Sequence, residues 1–327
     1  MRKGKILTAM AVILAMMLPV CMCVAEGTLP PSPEPPAADA ERQTPAPTAV
    51  PVEMLIDQIH SPEKYPGFSF RKDRKLLEIW FPNIKDADEA VLMYDGCVWM
   101  IDCGDERTGV RGAQLLRQLG IRKVDILFNT HPHHDHIDGL ATTHEAAQIG
   151  EVRICFAPVL TASGLRLIQT AEELGIPLKE YDDGSRFSMG DGAVEILVMK
   201  NNEEYLDMNN QSAQIRITYG ERSILFMADM EKPGQEAMIN RIGPELLKCD
   251  IVKYPHHGKS EMYEPFFEAT EAKLAVVTAY EGRSDAGQYF LSNRGLPAIF
   301  TAVNDRFTHL VTDGEYWLCE QVPVTVR

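Results

Sequence analysis

The alternation of apolar and polar positions along the chain predicts many short strands with helices set between them. Residues 76–81 form an apolar run of strand length, and 89–94 and 97–102 flank the turn pair Asp95-Gly96, the signature of a β-hairpin. Residues 109–119 carry apolar side chains at helical spacing and stop at Gly120. Residues 124–128 and 152–156 read as buried strands, with helices over 142–148 and 165–174. Strands are expected over 194–199, 213–219 and 223–227, the last two joined by a turn at Gly220-Glu221. Helices over 235–242, 261–269 and 288–294 then alternate with strands over 251–254, 274–278 and 299–303, and 309–318 closes as a hairpin around Asp313-Gly314. Such a succession points to two packed sheets with helices on their outer faces.

The first 52 residues do not share this patterning. Arg2, Lys3 and Lys5 precede an apolar run from Ile6 to Val20, and Cys23-Val24-Ala25 offers small residues before a cut. Residues 1–25 are therefore expected to be a secretory signal peptide, and the chain to be exported, either secreted or tethered at the cell surface. Leu18-Pro19-Val20-Cys21 makes a poor lipoprotein box, so a lipid anchor is the lesser expectation. Residues 26–52 are rich in Pro and Ala, a composition that cannot bury a core and behaves as an extended linker. Residues 53–327 have the length of one large domain, and no second apolar run long enough to span a membrane follows the leader.

The formal charge is −15, and removing the three leader cations makes it three units more negative. That balance argues against stable nucleic-acid binding through counterion release. It does not exclude a phosphate substrate, because bound divalent ions supply local positive charge. Five cysteines lie beyond the leader, at 97, 103, 155, 249 and 319, widely spaced and several with apolar neighbours. Buried free thiols are expected, with a Cys97–Cys103 bridge as the alternative; no C-x-x-C pair offers thiolate ligands. Nothing in the sequence fixes an oligomeric state.

Residues 130–139 read Thr-His-Pro-His-His-Asp-His-Ile-Asp-Gly, directly after the buried strand expected at 124–128. Imidazole and carboxylate make up the ligand set of zinc and related metals. At a strand end, residues two apart point the same way, so His131 and His133 can share one ion. Asp135 and His136 lie where the chain leaves the strand and can turn toward a second. Two more predicted strands end in ligand-type residues, one at Asp229 and one at His256-His257. Ligands delivered from separate strand ends to one edge of a sandwich make a preorganised site.

These residues resemble the metallo-β-lactamase fold superfamily. The resemblance is carried by Ile101-Asp102-Cys103-Gly104, the H-x-H-x-D-H element at 131–136, Leu225-Phe226-Met227-Ala228-Asp229 and Tyr254-Pro255-His256-His257-Gly258. Within the superfamily the chain is similar to the ComEC-type domain of competence DNA-uptake proteins, through Asn209-Asn210-Gln211-Ser212, Ala228-Asp229 and His256-His257-Gly258-Lys259. It lacks their multi-span membrane part, so a translocation role does not carry over.

The resemblance implies an α/β fold, the αββα four-layer sandwich, with two zinc ions at one edge. His131 and His133 would bind the first ion, Asp135 and His136 the second, and Asp229 would bridge them. His257 is the expected further ligand of the second ion, leaving His256 to support it or to meet substrate. Asp102 and His134 are expected behind or beside the ligands. The histidine that usually gives the first ion its third imidazole is missing, and Asn209 or Asn210 falls near its place. An amide oxygen is a weaker ligand, so the first ion can be weakly held, or be Mn2+ or another divalent metal. Ala228 stands for the usual Gly, read as a small change, and Lys259 for the usual Ser, where it can meet a substrate phosphate.

The expected function is an exported metal-dependent hydrolase using a metal-activated hydroxide, with Asp135, Asp229 and His256 in the catalytic set. The substrate, small or polymeric, is expected to be of phosphodiester type. Hydrolysis of a lactam, lactone or thioester is the alternative, and a metal-bound surface module with little turnover is the reading from another class. No Gly-x-Ser-x-Gly elbow occurs to support a serine mechanism.

Overall fold

The computed structural model describes residues 54–57, 68–202, 207–283, 285–303 and 305–325. The signal peptide and linker expected over 1–52 lie outside the described residues. Among those described, one sheet runs in the order β1 (Met54–Asp57), β18 (Trp317–Pro323), β17 (Arg306–Thr312), β2 (Leu77–Phe81), β3 (Glu89–Tyr94), β4 (Cys97–Cys103), β6 (Ile126–Asn129), β8 (Val152–Ile154) and β9 (Leu178–Glu180). The other runs β10 (Arg186–Met189), β11 (Val194–Met199), β12 (Gln214–Tyr219), β13 (Arg222–Phe226), β14 (Ile251–Lys253), β15 (Leu274–Val277) and β16 (Ala298–Phe300). A small parallel pair joins β5 (Lys123–Val124) to β7 (Gln148–Ile149). Helices α1 (Gly109–Gln118), α2 (His134–Ile137), α3 (Leu140–Ala146) and α4 (Ala162–Leu174) belong to the first half, and α5 (Lys232–Ile242), α6 (Glu264–Thr270) and α7 (Ala286–Arg294) to the second.

Side-chain alternation along the strands creates the layers. Leu77, Ile79 and Phe81 face a central core that also takes Ile215, Ile217, Ile224, Phe226, Ile251 and Val276 from the second sheet. Trp80, Met100 and Leu127 face the opposite way, onto Leu115, Leu116, Leu140 and Leu167 of the first helical layer. Leu225, Val252, Ala275 and Val277 likewise pack on Met238, Phe266, Phe290 and Leu291 of the second. One core between the sheets and one beneath each helical layer make the αββα sandwich.

Departures from expectation include one strand and one cysteine pair. The strand read at 124–128 is broken at Asp125, whose carboxylate accepts the Val98 N–H (3.1 Å) and pairs with Lys123. This side-chain commitment ends β5 and restarts the chain as β6. Cys97 and Cys103 sit at opposite ends of β4 and are free thiols, as are the other three, so the alternative of a bridge is corrected: a strand of that length holds its ends far apart.

Candidate metal centre

The strand pairs β4–β6 and β13–β14–β15 are parallel, so their carboxyl ends open at one edge of each sheet. Asp102 is the penultimate residue of β4 and takes a left-handed backbone (φ 56°), a conformation that Asp tolerates better than most residues. Its carboxylate accepts the Thr130 N–H (2.8 Å) and Thr130 hydroxyl (2.7 Å), and its Oδ2 lies 2.7 Å from His136 Nδ1.

β6 ends at Asn129, so the pleat does not aim His131 and His133 as the sequence pattern implied. Pro132 separates them in an irregular segment, yet His131 Nε2 and His133 Nδ1 face each other at 3.1 Å. The next turn is α2, which carries Asp135 and His136 inward and leaves His134 exposed. His134 Nδ1 is 3.7 Å from Asp135 Oδ1. Asp229 follows β13 after Ala228, itself left-handed (φ 44°). β14 ends at Lys253, and His256 and His257 beyond it are both left-handed (φ 49° and 53°). Because the strand has ended, the two neighbouring imidazoles need not point oppositely, and both Nε2 atoms approach Asp229 Oδ2, at 3.9 Å from His256 and 3.4 Å from His257.

Asp135, His136, Asp229 and His257 are buried and can each offer one ligand atom, all within 4.8 Å of one another. His136 Nε2 is 3.2 Å from Asp229 Oδ1, and His257 Nε2 is 3.3 Å from Asp135 Oδ2. Atoms bonded at about 2.0–2.1 Å to one tetrahedral ion stand roughly 3.3 Å apart, so these separations fit a shared ion. His136 Nε2, His257 Nε2 and Asp229 Oδ1 are buried with no hydrogen-bond partner, a costly state for polar atoms unless a metal completes them. Nitrogen and carboxylate oxygen without thiolate is a donor set for a divalent metal. On the other side, His131 Nε2 stands 3.9 Å from Asp229 Oδ2, so Asp229 faces both histidine groups.

Electrostatics separate the two histidine groups, because the carboxylates crowd His136 and His257 more closely than His131 and His133. Burial, then the neighbouring His136, push His131 well below the ordinary imidazole range, leaving a neutral ligand; His133 is lowered for the same reasons. Burial opposes charge on His257, but Asp229 and Asp88 outweigh it and raise it to about 10. Burial likewise opposes charge on His136, and Asp229 and Asp102 raise it well above its usual value.

The remaining candidates fall in different places. His256 is partly exposed, with Nδ1 2.9 Å from Glu231 Oε1. Asn210 is committed elsewhere: its side-chain oxygen accepts the N–H groups of Glu231 (3.2 Å) and Gly234 (2.9 Å) at the start of α5. Asn209 is buried, and its side-chain oxygen has no hydrogen-bond partner. Lys259 lines an open cavity together with His134 and Asp135. Asp88, Thr278, Glu231 and Lys253 do not stand out in the sequence as site residues, yet they hold the histidines from behind. His257 Nδ1 lies 3.0 Å from Asp88 Oδ1 and 2.9 Å from Thr278 Oγ1. The one available signal was Lys253, a charge inside the apolar strand Ile251-Val252-Lys253-Tyr254.

Residues 90–277 match the sequence profile of the metallo-beta-lactamase superfamily, a span that takes in both histidine groups, Asp102 and Asp229. The chain belongs to the metallo-beta-lactamase superfamily. It is 26% identical over 161 residues to ComE operon protein 3 of Bacillus subtilis (strain 168), a match covering 49% of this chain and 20% of that much longer relative. Among solved structures it is similar to the metallo-beta-lactamase fold protein YhfI from Bacillus subtilis, at 12% identity and a TM-score of 0.46, covering 68% of this chain and 95% of that one. It is also similar to CmlA, a diiron beta-hydroxylase from Streptomyces venezuelae, at 17% identity and a TM-score of 0.42, covering 68% and 48%. The chain thus has the hydrolase fold of the superfamily, with a His/Asp centre suited to divalent metal. No helix among the described residues is long and apolar enough to cross a membrane.

Proposed function

We propose that this metallo-beta-lactamase superfamily chain is an exported hydrolase of phosphodiester-type substrates. The observation that carries hydrolysis is the buried convergence of Asp135, His136, Asp229 and His257, with three partnerless ligand atoms turned toward one another. These residues would hold one ion, and His131 and His133 the other, with Asp229 shared between them. Zinc suits both positions, and manganese or another divalent metal is the alternative at the His131/His133 side. When bound, the ions supply a nucleophilic water of lowered pKa and positive charge opposite the developing oxyanion. Asp135 and Asp229 orient that nucleophile. His256, its Nδ1 held by Glu231, presents Nε2 beside Asp229, where it can pass a proton to the leaving oxygen.

A second observation favours a phosphate substrate. The cavity of ≈ 600 Å³ that opens beside Asp135 is rimmed by Lys85, Arg107, Arg111, Lys259 and Arg283. Arg107 pairs with Asp105 (3.1 Å) and Arg283 with Asp86 (2.6 Å), whereas Lys85, Arg111 and Lys259 have no ion pair among the described residues. The acidic chain therefore offers an excess of positive charge at its candidate substrate entrance. Export rests on the basic and apolar pattern of residues 1–25.

Metal-replete protein is expected to cleave bis(p-nitrophenyl) phosphate, and Asp229→Ala to lower that rate by about 100-fold or more. Strong turnover of nitrocefin or an acyl-thioester, with none of the phosphodiester, would redirect the substrate class. No turnover of any of the three, with metal bound, would favour a surface module.

A further inference from the structure

Lys253 is 2 % exposed at the end of an apolar strand, and no step above uses it. A lysine is almost never buried so fully unless paired. Its ammonium is ion-paired with Asp88 Oδ2 and lies 3.5 Å from the Ala228 carbonyl oxygen. Asp88 divides its carboxylate between two tasks. Oδ2 takes the lysine, while Oδ1 faces His257 Nδ1 at 3.0 Å and accepts the Thr278 hydroxyl at 2.8 Å. Since the Thr278 proton is directed at Asp88, Thr278 Oγ1 can only accept from His257 Nδ1, 2.9 Å away. Both neighbours of Nδ1 are therefore acceptors, so Nδ1 keeps a proton, and an ion taken up beside Asp135 and Asp229 would meet Nε2 as the one ring nitrogen left to ligate it. The Asp88 backbone is anchored too: its N–H donates to the Asp135 carbonyl (3.0 Å), and its carbonyl accepts the Gly104 N–H (2.9 Å).

His136, the other imidazole read at the same ion, is held differently. It leans on Asp102, which is fixed by the neutral donors of Thr130. Of these two braces, the one behind His257 is anchored by a full charge, 165 positions distant from Asp88 in the chain.

We propose that Lys253 is a positioning residue for the ion at His257: its ammonium pins Asp88 so that the free oxygen fixes the tautomer and direction of the His257 ring. The assignment rests on the reading that His257 holds an ion. Removing the ammonium frees Asp88 to rotate, and the ring loses the partner that orients it. Partners of metal-bound histidines are worth roughly 10–100-fold in metal affinity.

The test is Co2+ titration of metal-free full chain, read by calorimetry and by bound-metal analysis, without any turnover assay. Lys253→Met is expected to weaken one binding step by roughly 10–100-fold and to leave the other within about twofold. Lys253→Arg should recover most of the loss, because it keeps the charge. Asp88→Asn should reproduce the loss at the same step, and it serves if Lys253→Met does not fold. Nitrogen NMR of labelled histidine in the Zn2+-loaded chain should show a single His257 state in the native protein, protonated at Nδ1 with Nε2 ligating, and a second or broadened state in Lys253→Met. Folded Lys253→Met that binds two ions as tightly as the native chain, or that loses both steps equally, overturns the assignment. A native chain that takes up no divalent ion overturns the metal-centre reading itself, and the assignment with it.

Discussion

Ala228 is buried, left-handed at φ 44°, and placed directly before the aspartate that faces both histidine groups. A left-handed backbone brings Cβ too close to the following carbonyl, at about 1–2 kcal/mol for an ordinary residue. The conformation is imposed from outside, since the Ala228 carbonyl accepts the His256 N–H at 3.0 Å. Glycine would relieve the crowding while giving back about 0.5–1 kcal/mol through its freer unfolded chain. Ala228→Gly should therefore stabilise the fold by about 0.5–1 kcal/mol, seen as a higher denaturant midpoint at unchanged slope. A lower midpoint would show that the alanine methyl packs more favourably than its strain costs. Along the sequence, Ala in place of Gly reads as a small change, because φ is not written in the letters. The H-x-H-x-D-H element is legible for the opposite reason: its ligands are neighbours in the chain, so the letters alone mark them, even though a loop and the turn α2 rather than the strand pleat bring them together. Asp88 and Lys253 are hidden in the sequence because they meet only through tertiary packing. Lys253 is visible as a charge in an apolar strand, but nothing local names its partner.

At the level of elements, one regularity gathers the centre: parallel strands finish at a common edge. Asp102, Asp229, His257 and Thr278 all follow or close such strands, so short apolar runs ending in polar residues mark the site-bearing edge in the sequence itself. β9 and β10 carry no such mark, and their burial explains it. Residues 178–180 and 186–189 are mostly exposed or half-buried and lack the sustained apolar alternation that marks a strand. Elsewhere strand register builds a charged cluster. His309 on β17 sits opposite Trp80 of β2 and Glu320 of β18. Its ring stacks on Trp80 at 3.8 Å, and its nitrogens lie 2.8 Å from Glu320 and 3.1 Å from Glu78. Burial opposes the imidazolium, but Glu320 and Glu78 outweigh it and raise His309 above its ordinary value. Because the folded value is the higher one, this stabilisation is complete below the unfolded imidazole range, near about 6.5, and is lost as pH rises through the folded value. Glu78, lowered chiefly by its hydrogen bond to His309, adds stability that fades as pH falls below the carboxylate range. The thermal midpoint gap between native protein and His309→Gln should thus be widest near pH 5.5–6.5, about one unit below the unfolded histidine value to that value, and shrink by pH 9. A gap that is constant or grows toward pH 9 would mean that His309 acts through packing alone.

Across the whole molecule, a formal charge of −15 conflicts with a phosphate substrate only while charge is counted along the chain, and spatial arrangement removes the conflict. Net charge is a sum over all residues, whereas an approaching anion meets the field at the cavity mouth. There Lys85 lies over the Tyr280 ring at 5.1 Å, Arg111 reaches Gln114, and neither has an ion pair among the described residues. Acidic surface elsewhere repels a polyanion and leaves this mouth as the favourable approach. Such steering acts on encounter more than on the chemical step, and salt screens it over about 10 Å at 0.1 M. Charge reversal at both positions, Lys85→Glu with Arg111→Glu, should lower kcat/KM for a short single-stranded oligonucleotide by roughly tenfold or more at low salt. The loss should narrow as salt is raised, and turnover of bis(p-nitrophenyl) phosphate should change little, since that small ester carries one charge and needs no extended contact. Equal losses on both substrates would place the two residues in the centre's chemistry. No loss on either would remove the basic rim as support for a phosphodiester and leave substrate class to the metal centre alone.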